Sequence, residues 1–305
     1  MHLGVVARAI GLQIFYLLGT GLAAILIAFS GLTWVDASVF VLMWVLAGIG
    51  GTVGYHRLLA HKAFETTPQL KILLAILGAI SGQGPLLPWV AFHRQHHHCN
   101  DRPGDPHTPY FNHEGQTLSG WPGFWHAHFG WLLSEKLLIK PMKYARDIVD
   151  DPVLVRISQN HYAWFALGFL IPTILGGLLT VNFGGWSWIG ATKGFLLGGF
   201  TRVFLMNHLA AHGINSFCHL FGQRPFQSSD QSTNNAWLGL LILTGEPWHN
   251  NHHAFPNSAR FGLKWWQVDI GYMTIWVLEK MGLAWQVNVP SPQVIKARTI
   301  SEVSL

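Results

Sequence analysis

Charged side chains are scarce in this chain of 305 residues. Only 11% of the residues are Asp, Glu, Lys or Arg, whereas 50% are hydrophobic, and the mean hydropathy is +0.28. Soluble domains usually carry about 25% charged residues, so the deficit indicates an integral membrane protein. The net charge of +5 is explained by basic residues on cytoplasmic loops. Because no nucleic-acid-binding module or basic patch with interleaved aromatics occurs, we expect no nucleic acid partner.

Cysteine is rare as well. The two cysteines, Cys99 and Cys218, do not make a disulfide framework. No C-x-x-C or C-x-x-C-H motif occurs, so built-in iron–sulfur or c-type haem sites are not expected. Soluble di-iron carboxylate proteins carry paired Glu-x-x-His motifs. Here the single match, Glu246 to His249, has proline inside it, which excludes that interpretation.

Histidine, by contrast, is abundant and clustered. Three clusters stand out, formed by His56 and His61, by His93, His96, His97 and His98, and by His249, His252 and His253. Such density favours metal ligation or proton handling. Residues three and four apart share a helix face, so the second and third clusters each present one face to a metal. His56 and His61 are five apart and would converge best if their helix unwinds near its membrane exit.

A fourth polar set follows the last apolar run. His208, His212, Asn215 and His219 fall within a stripe of roughly 60° on a regular helix. A polar stripe in a membrane helix indicates a functional site, and the alternative is hydrogen bonding between helices. Imidazole suits zinc, copper, iron and nickel, and a structural zinc needs only four ligands. Eight histidines from the three clusters and one from this set therefore predict two metals, interpreted as two irons able to activate oxygen.

Four apolar runs approach or reach the roughly 20 residues that cross a bilayer. They cover residues 10–29, 37–55, 162–181 and 186–206. Short turns without Lys or Arg join them in pairs, which predicts two transmembrane hairpins, at about 10–55 and 162–208. The charge rule then places the turns outside and both termini in the cytoplasm.

The remaining chain is predicted to form a cytoplasmic helical cap, at about 56–160 and 215–290, with a loose tail over 291–305. The apolar stretch from Leu70 to Leu87 is interpreted as an interfacial or partly buried helix, because a further span would put the first two histidine clusters on opposite sides. The chain is thus predicted to be a single all-α integral membrane domain with four transmembrane helices, whose cap carries a di-iron site.

These residues resemble the membrane fatty acyl desaturase family. The family's boxes H-x(4)-H, H-x-x-H-H and H-x-x-H-H begin in order at His56, His93 and His249. The resemblance is closer to the Δ9, stearoyl-CoA-type branch, in which a tryptophan stands four residues before the second box and a glutamine six before that tryptophan. Trp89 and Gln83 occupy those positions here, and the resemblance covers roughly residues 51–271.

The resemblance implies roles for individual residues. The iron ligands would be His56, His61, His93, His96, His97, His219, His249, His252 and His253, with Asn215 holding a water on one iron. Trp89 and Gln83 would bind substrate by shaping the acyl channel. His98 lies outside the box pattern. His107, His113, His126, His128, His161, His208 and His212 are predicted to be structural or to support ligands. Ala211 and His212 stand where the family usually has Thr-Trp, a departure that bears on regiospecificity.

The implied activity is the oxygen-dependent insertion of a cis double bond, at Δ9, into a saturated acyl-CoA or acyl-lipid. Electrons would come from outside, from a donor such as ferredoxin or cytochrome b5 with its reductase. The membrane would be the inner membrane of a bacterium or the endoplasmic reticulum of a eukaryote. Two alternatives stay open: a di-iron membrane hydroxylase of a lipid, and a non-enzymatic metal or haem carrier. The carrier would need only a few facing histidines rather than three clusters.

Overall fold

Helices make up most of the computed structural model, which describes residues 2–134, 140–181 and 185–300. The first half contains α1 (His2–Ser30), α2 (Trp34–Ile49), β1 (Glu65–Thr66), α3 (Pro68–Ile80), α4 (Leu86–Cys99), α5 (Gly120–His128), α6 (Pro141–Tyr144), α7 (Arg146–Val149) and α8 (Pro152–Gln159). The second half contains α9 (His161–Leu179), α10 (Trp188–Lys193), α11 (Arg202–Leu205), α12 (His212–Leu220), α13 (Ala236–Ile242), α14 (His249–Ala254), α15 (Ile270–Lys280), β2 (Ala284–Trp285) and α16 (Pro292–Arg298). Three π-helical segments, Gly50–Ala60, Gly194–Thr201 and Met206–Ala211, and a 3-10 helix, Gly130–Leu133, continue or connect these helices.

Three helices in the described ranges are long and apolar enough to cross a membrane: Val6–Ser30, Trp34–Ala60 and His161–Leu179. The turn between the first two is locally encoded, because the Thr33 hydroxyl accepts from Asp36 N and the Asp36 carboxylate accepts from Thr33 N. This capping box ends one helix and begins the next. The turn of the second predicted hairpin includes residues 182–184, which lie outside the described ranges.

Most of the fourth predicted span, 186–206, belongs to a continuous helical rod of α- and π-helical segments from Trp188 to Leu220. This rod carries two buried cations. Lys193 Nζ donates to Gly31 O at 2.7 Å and lies 3.2 Å from Asp36 Oδ2. Arg202 is fully buried and donates to the carbonyls of Ile80, Gly168 and Gly198. Because both cations contact protein rather than lipid, the rod packs inside the bundle. Its status as a membrane span stays a prediction.

The stretch predicted as one interfacial helix over Leu70–Leu87 is two helices. The first, α3, has 13 residues, which is too short to span a bilayer. It ends at Ile80, and α4 begins at Leu86. Gly82 and Gly84 between them have φ values of +83° and +103°, a conformation that a continuing right-handed helix does not allow. This break turns the chain so that α4 can carry the second histidine cluster under the bundle.

The segments predicted to form the cap share an apolar core where α3, α4 and α8 meet the π-helix that follows α2. The two short strands pair antiparallel and join the first part of the cap to its last part. The predicted loose tail needs correction: α16 occupies Pro292–Arg298, and Gln227 N and Ile300 N bond to the carbonyls of Arg298 and Pro225. Residues 301–305 of that predicted tail lie outside the described ranges.

Candidate metal centre

The first histidine pair is aligned by a π-helix. The segment Gly50–Ala60 is π-helical, and at its end His61 N donates to the carbonyl of His56, five residues earlier, at 3.0 Å. This spacing brings residues five apart onto one face. The sequence predicted that the two histidines converge best if the helix unwinds near its membrane exit, and the structure has a wider, π-helical winding there. His56 and His61 face the same centre with their ring centroids 4.9 Å apart.

Five histidines form one group, hereafter group one: His56, His61, His93, His97 and His252. Their ligand atoms lie within 4.8 Å of one another. The Nε2 atoms of His61 and His93 are 2.7 Å apart, and His252 Nε2 lies 3.1 Å from His56 Nε2 and 2.9 Å from His97 Nε2. The π-helix that follows α2 thus converges with α4 and α14 on one point.

Four histidines form group two: His96, His219, His249 and His253, all buried. His219 Nε2 lies 3.1 Å from His249 Nε2, and His96 Nε2 lies 3.4 Å from His253 Nε2. Adjacent residues of a helix point about 100° apart. For this reason His96 and His97 on α4 serve different groups, and so do His252 and His253 on α14.

Carboxylates stand behind four of these imidazoles. The Nδ1 atoms of His96, His219 and His253 in group two are bonded to Asp105, Asp101 and Asp230, and His56 Nδ1 in group one is bonded to Glu246. A carboxylate behind a histidine fixes the ring orientation and raises ligand basicity. These acids had no predicted role. The sequence does contain a signal for them: the whole chain has only 14 acidic residues, and these four stand next to or between the histidine clusters.

The hydrogen bonds test whether the histidines suit a metal. Asp105 and Asp230 accept the Nδ1 protons of His96 and His253, so in the neutral rings both Nε2 atoms would present lone pairs to each other across 3.4 Å. Two lone pairs at this distance repel unless a proton or a metal ion lies between them. Imidazole nitrogens bound at about 2 Å to one divalent metal lie roughly 3 Å apart. The donor set therefore fits a metal ion in group two, and the Nε2 spacings of group one fit in the same way.

The electrostatics favour neutral imidazoles beside ionised carboxylates. Burial, followed by the neighbouring imidazoles, lowers the pKa of His93, His97 and His249 well below the usual value. Burial opposes ionisation of Asp230, but the charge and hydrogen bond of His253 hold the pKa of this carboxyl well below its ordinary range. The charge and hydrogen bond of His219 likewise outweigh burial and hold the pKa of Asp101 well below its ordinary range. Neutral imidazole is the form that binds metals, and the carboxylates supply compensating negative charge.

His96 is the exception among these imidazoles. Burial lowers its pKa, but the charge and hydrogen bond of Asp105 outweigh burial and raise the pKa to about 9. The position therefore attracts positive charge, whether a proton or a metal ion. A metal ion in group two would replace this proton, so binding there releases protons.

An apolar cavity of about 370 Å³ reaches both groups. His56 and His93 of group one and His249 of group two lie on its wall, together with Asn215. The cavity continues between α1 and α2 to Leu12 and Trp44, among other mainly apolar residues. Its size and lining suit a flexible hydrocarbon ligand.

Trp89 and Gln83 both line this cavity. The Trp89 indole N–H donates to Gln83 Oε1 at 3.2 Å, and the Trp89 ring stacks on His93 with centroids 5.1 Å apart and planes 13° from parallel. The pair therefore forms a rigid part of the wall directly beside group one. Their predicted role in binding the acyl chain stays a prediction.

The predicted stripe of four polar residues is not continuous. The π-helix Met206–Ala211 and the irregular backbone of Ala211 (φ −117°, ψ −79°) shift the register between His208 and His219. Only His219 joins a metal group. His208 instead bonds to Gln13 and to His128, which bonds to Ser216.

The other histidines lie outside the two groups. His98 packs against Tyr144, His113 against His126, and His161 against Phe165. His212 lines the apolar cavity, and His107 both lines it and packs on His96 with centroids 4.4 Å apart. Asp105, His96 and His107 also form a further set of possible ligands, which shares His96 with group two.

Comparison with known proteins decides the family. The model of the family described as "Fatty acid desaturase" matches residues 32–272. The chain belongs to the fatty acid desaturase family. As a member of this metal-dependent family it is an oxidoreductase of lipid metabolism with a fatty acyl substrate. The apolar helices agree with a membrane protein.

Relatives in this family carry several names. The chain is 45% identical to a hex-5-enoyl-[acyl-carrier protein] acetylenase of Moorena producens over 93% of its length and 86% of that protein. It is 36% identical to an sn-1 stearoyl-lipid 9-desaturase of Anabaena variabilis, covering 85% of the chain and 86% of the relative. It is also 36% identical to Delta-9 acyl-lipid desaturase 1 of Arabidopsis thaliana, covering 87% and 79%. The two desaturases among these relatives support the predicted family and its Δ9 branch.

Proposed function

We propose that this desaturase uses O2 to insert a cis double bond at Δ9 of a saturated acyl chain carried by CoA or a membrane lipid. The observation that carries the proposal is the apolar cavity, whose wall contains imidazoles of both metal groups. A chain lying in this cavity presents one of its C–C bonds to both groups. Holding a substrate bond beside reactive groups in this way is positional catalysis.

The metals are proposed to be two iron ions. One would be held by the five histidines of group one, and the other by the four histidines of group two together with a water on Asn215. Bound there, two irons would supply the activation of O2 that the removal of two hydrogens from unactivated methylenes needs. The chain's own contribution is to fix nine imidazoles through backbone register and through the four supporting carboxylates. Such supporting carboxylates commonly determine metal affinity.

Regiospecificity is proposed to depend on the Trp89–Gln83 pair. Its hydrogen bond and the stacking of Trp89 on His93 fix the wall at the point where the chain passes group one. A fixed wall excludes alternative positions of the substrate, which is the protein's task beside a reactive cofactor. Because Ala211 and His212 also line the cavity, the departure from Thr-Trp changes the same region.

The surroundings are proposed to be a membrane crossed four times, with both termini and the cap in the cytoplasm. The whole chain is proposed to be one desaturase domain. Trp34, Trp186 and Trp188 are exposed near the turns of the hairpins, where tryptophans anchor helices at an interface. Electrons are proposed to come from an external donor protein such as ferredoxin or cytochrome b5.

A second candidate is supported by the relative that shares 45% identity. That protein is named an acetylenase of a hexenoyl acyl-carrier protein. By analogy, this chain would remove two further hydrogens from an existing double bond in a chain carried by acyl-carrier protein. The same cavity and metal groups serve both reactions, so the substrate distinguishes them.

Expression in a host that lacks Δ9 desaturase tests the proposal. Fatty acids are analysed by mass spectrometry after chemical location of the double bond. Loss of two hydrogens from a saturated chain at Δ9 supports desaturation, loss of two hydrogens from a supplied enoyl chain to give a triple bond supports the acetylenase, and gain of oxygen supports a hydroxylase. His252→Ala removes a group-one imidazole and should abolish the product. His98→Ala is a matched control, because His98 lies in one of the histidine clusters of the sequence but belongs to neither metal group. Full activity of His252→Ala would contradict the ligand assignment.

A further inference from the structure

The five imidazoles of group one have different surroundings. Two of them line the apolar cavity. Two others, His61 and His97, line a second, polar cavity of about 660 Å³, which also reaches His253 of group two. His252 lines neither of these cavities and is fully buried. The orientation of its ring is therefore set by contacts with the surrounding protein.

His252 lacks the carboxylate that supports another ligand of the same group. His56 Nδ1 is bonded to Glu246, whereas His252 Nδ1 is buried and has no hydrogen-bond partner within the described ranges. A metal-bound histidine usually donates its other ring N–H to a carboxylate, a carbonyl or a water, and this bond fixes the orientation of the ring. A different contact must fix the ring of His252.

The ring of Phe261 provides this contact. Its centroid lies 4.4 Å from that of the His252 ring and 5.3 Å from that of the His56 ring. Aromatic rings at about this separation attract each other in tilted and edge-to-face arrangements. Phe261 is itself fully buried, so its ring occupies the space into which the His252 ring would otherwise turn.

Phe261 is held by a buried ion pair. The guanidinium of Arg57 lies over the Phe261 ring, with its central carbon 3.9 Å from the ring centroid. Arg57 Nη2 pairs with Asp269 Oδ1 at 2.9 Å, and Asp269 Oδ2 accepts from Phe261 N at 2.7 Å. The ring and the backbone of Phe261 are therefore tied to the same pair. Arg57 directly follows His56 in the chain, so these contacts start and end at group one.

Two glycines leave the space that this guanidinium occupies. A Cβ atom at Gly271 would collide with Arg57 Nη1, and one at Gly245 would lie only 2.6 Å from Arg57 Nη2. Arg57 is fully buried, and its Nε and Nη1 atoms have no hydrogen-bond partner in the described part of the chain. Replacing a buried ion pair by apolar residues is often neutral or stabilising. Stability alone therefore does not account for a cation at this position.

We infer that Arg57, Asp269 and Phe261 are positioning residues for group one, which fix the ring of His252 as Glu246 fixes the ring of His56. The inference rests on the proposed function, because the orientation of His252 matters only if group one holds a metal. Without the Phe261 ring, the His252 imidazole is free to turn, and its Nε2 atom leaves the point on which the other four imidazoles converge.

Phe261→Leu tests the inference, and Phe255→Leu is its matched control. Phe255 is also a buried phenylalanine with an arginine beside its ring, since the Arg298 guanidinium lies 5.5 Å from the ring centroid. Its ring packs on Phe226 instead of on an imidazole of group one. Both substitutions remove a buried ring, so both should lower the thermal unfolding temperature to a similar extent.

The probe is Co2+, added to the metal-free, full-length protein in lipid nanodiscs. Its visible absorption reports the number and geometry of its ligands. Glu246→Gln, which removes the carboxylate behind His56, identifies the signal of group one. In Phe261→Leu we expect the Kd of group one for Co2+ to rise about 10–100-fold, as is usual when the support of a ligand is lost, and its absorption to change. Group two should be unaffected, and Phe255→Leu should match the unsubstituted protein at both groups.

Arg57→Lys tests the cation separately. Lysine keeps a positive charge beside Asp269 but has no flat group to lie over the Phe261 ring, so the signal of group one should change in the same direction. An unchanged signal in Phe261→Leu or in Arg57→Lys, or equal changes in Phe261→Leu and Phe255→Leu, would overturn the positioning role alone. Absence of a group-one signal in the unsubstituted protein would contradict the metal centre itself, and with it both proposals.

Discussion

Asp230→Asn should weaken the metal site of group two by changing the tautomer of one ligand. One oxygen of Asp230 accepts from Ser232 N at 3.0 Å and Ser228 Oγ at 2.8 Å, while the other accepts from His253 Nδ1. An asparagine keeps only one oxygen, and the serine donors require it. The amide nitrogen then faces His253 Nδ1, which must release its proton in order to accept. The ring proton moves to Nε2, the atom that faces group two, and blocks the lone pair that binds metal.

The magnitude follows from the number of ligands. Loss of a supporting hydrogen bond usually lowers metal affinity 10–100-fold, and removing the lone pair of one of four imidazoles puts the loss near the upper limit. We therefore expect about a 100-fold loss in group two, or about 2.8 kcal/mol at 1.4 kcal/mol per tenfold change. Group one should keep its affinity, because its own supporting carboxylate, Glu246, is unchanged.

Competitive titration of the purified protein with Fe2+ and a coloured chelator, under anaerobic conditions, resolves the two affinities. Glu246→Gln is the matched control, and its effect should appear in group one instead, since Glu246 bonds to His56. Equal losses in both groups, or an unchanged affinity of group two in Asp230→Asn, would refute the tautomer argument.

Three further predictions concern the wall of the acyl cavity, the cap and the metals. Trp89→Phe removes the hydrogen bond to Gln83 but retains a ring beside His93, so the double bond should spread over neighbouring carbons at normal metal content. Mass spectrometry of the products checks this result, and a single unchanged position would contradict it. Arg57→Met leaves buried Asp269 without its cation, which should cost about 3–5 kcal/mol and lower the thermal unfolding temperature. Chelation should also lower that temperature, because metals stabilise the state that binds them; coincident melting curves would argue against it.

Local spacing predicts part of the site correctly, because helix geometry acts over a few residues. The spacings within the second and third boxes place His96 and His97, and likewise His252 and His253, on different groups. The same α-helical geometry fails for His56 and His61, since a π-helix changes the residues that share a face. It fails again for His208 and His219, which another π-helical segment separates. Nothing in the side chains of these segments distinguishes a π-helix from an α-helix.

Other features depend on tertiary structure. Asp101 and Asp230 lie in connecting segments, and only the folded cap brings them behind His219 and His253. Gly82 and Gly84 could have predicted the break between α3 and α4, but the apolar composition of the stretch, taken alone, favours one uninterrupted helix. The apolar runs locate α1, α2 and α9 well, because membrane helices must satisfy their backbone polar groups internally. The distribution of charged residues was less informative about the fourth apolar run, because its Lys193 and Arg202 are buried against other parts of the protein.

The two cavities have no lining residue in common, and this separation has an evolutionary consequence. Substitutions that lengthen, shorten or bend the apolar cavity leave unchanged the lining of the second cavity, which includes His61, His97 and His253. The substrate-facing wall can therefore diverge by small steps while the opposite side of the two histidine groups is conserved. Relatives named for lipid, CoA and acyl-carrier-protein substrates, including one named an acetylenase, are the diversity that such independence permits.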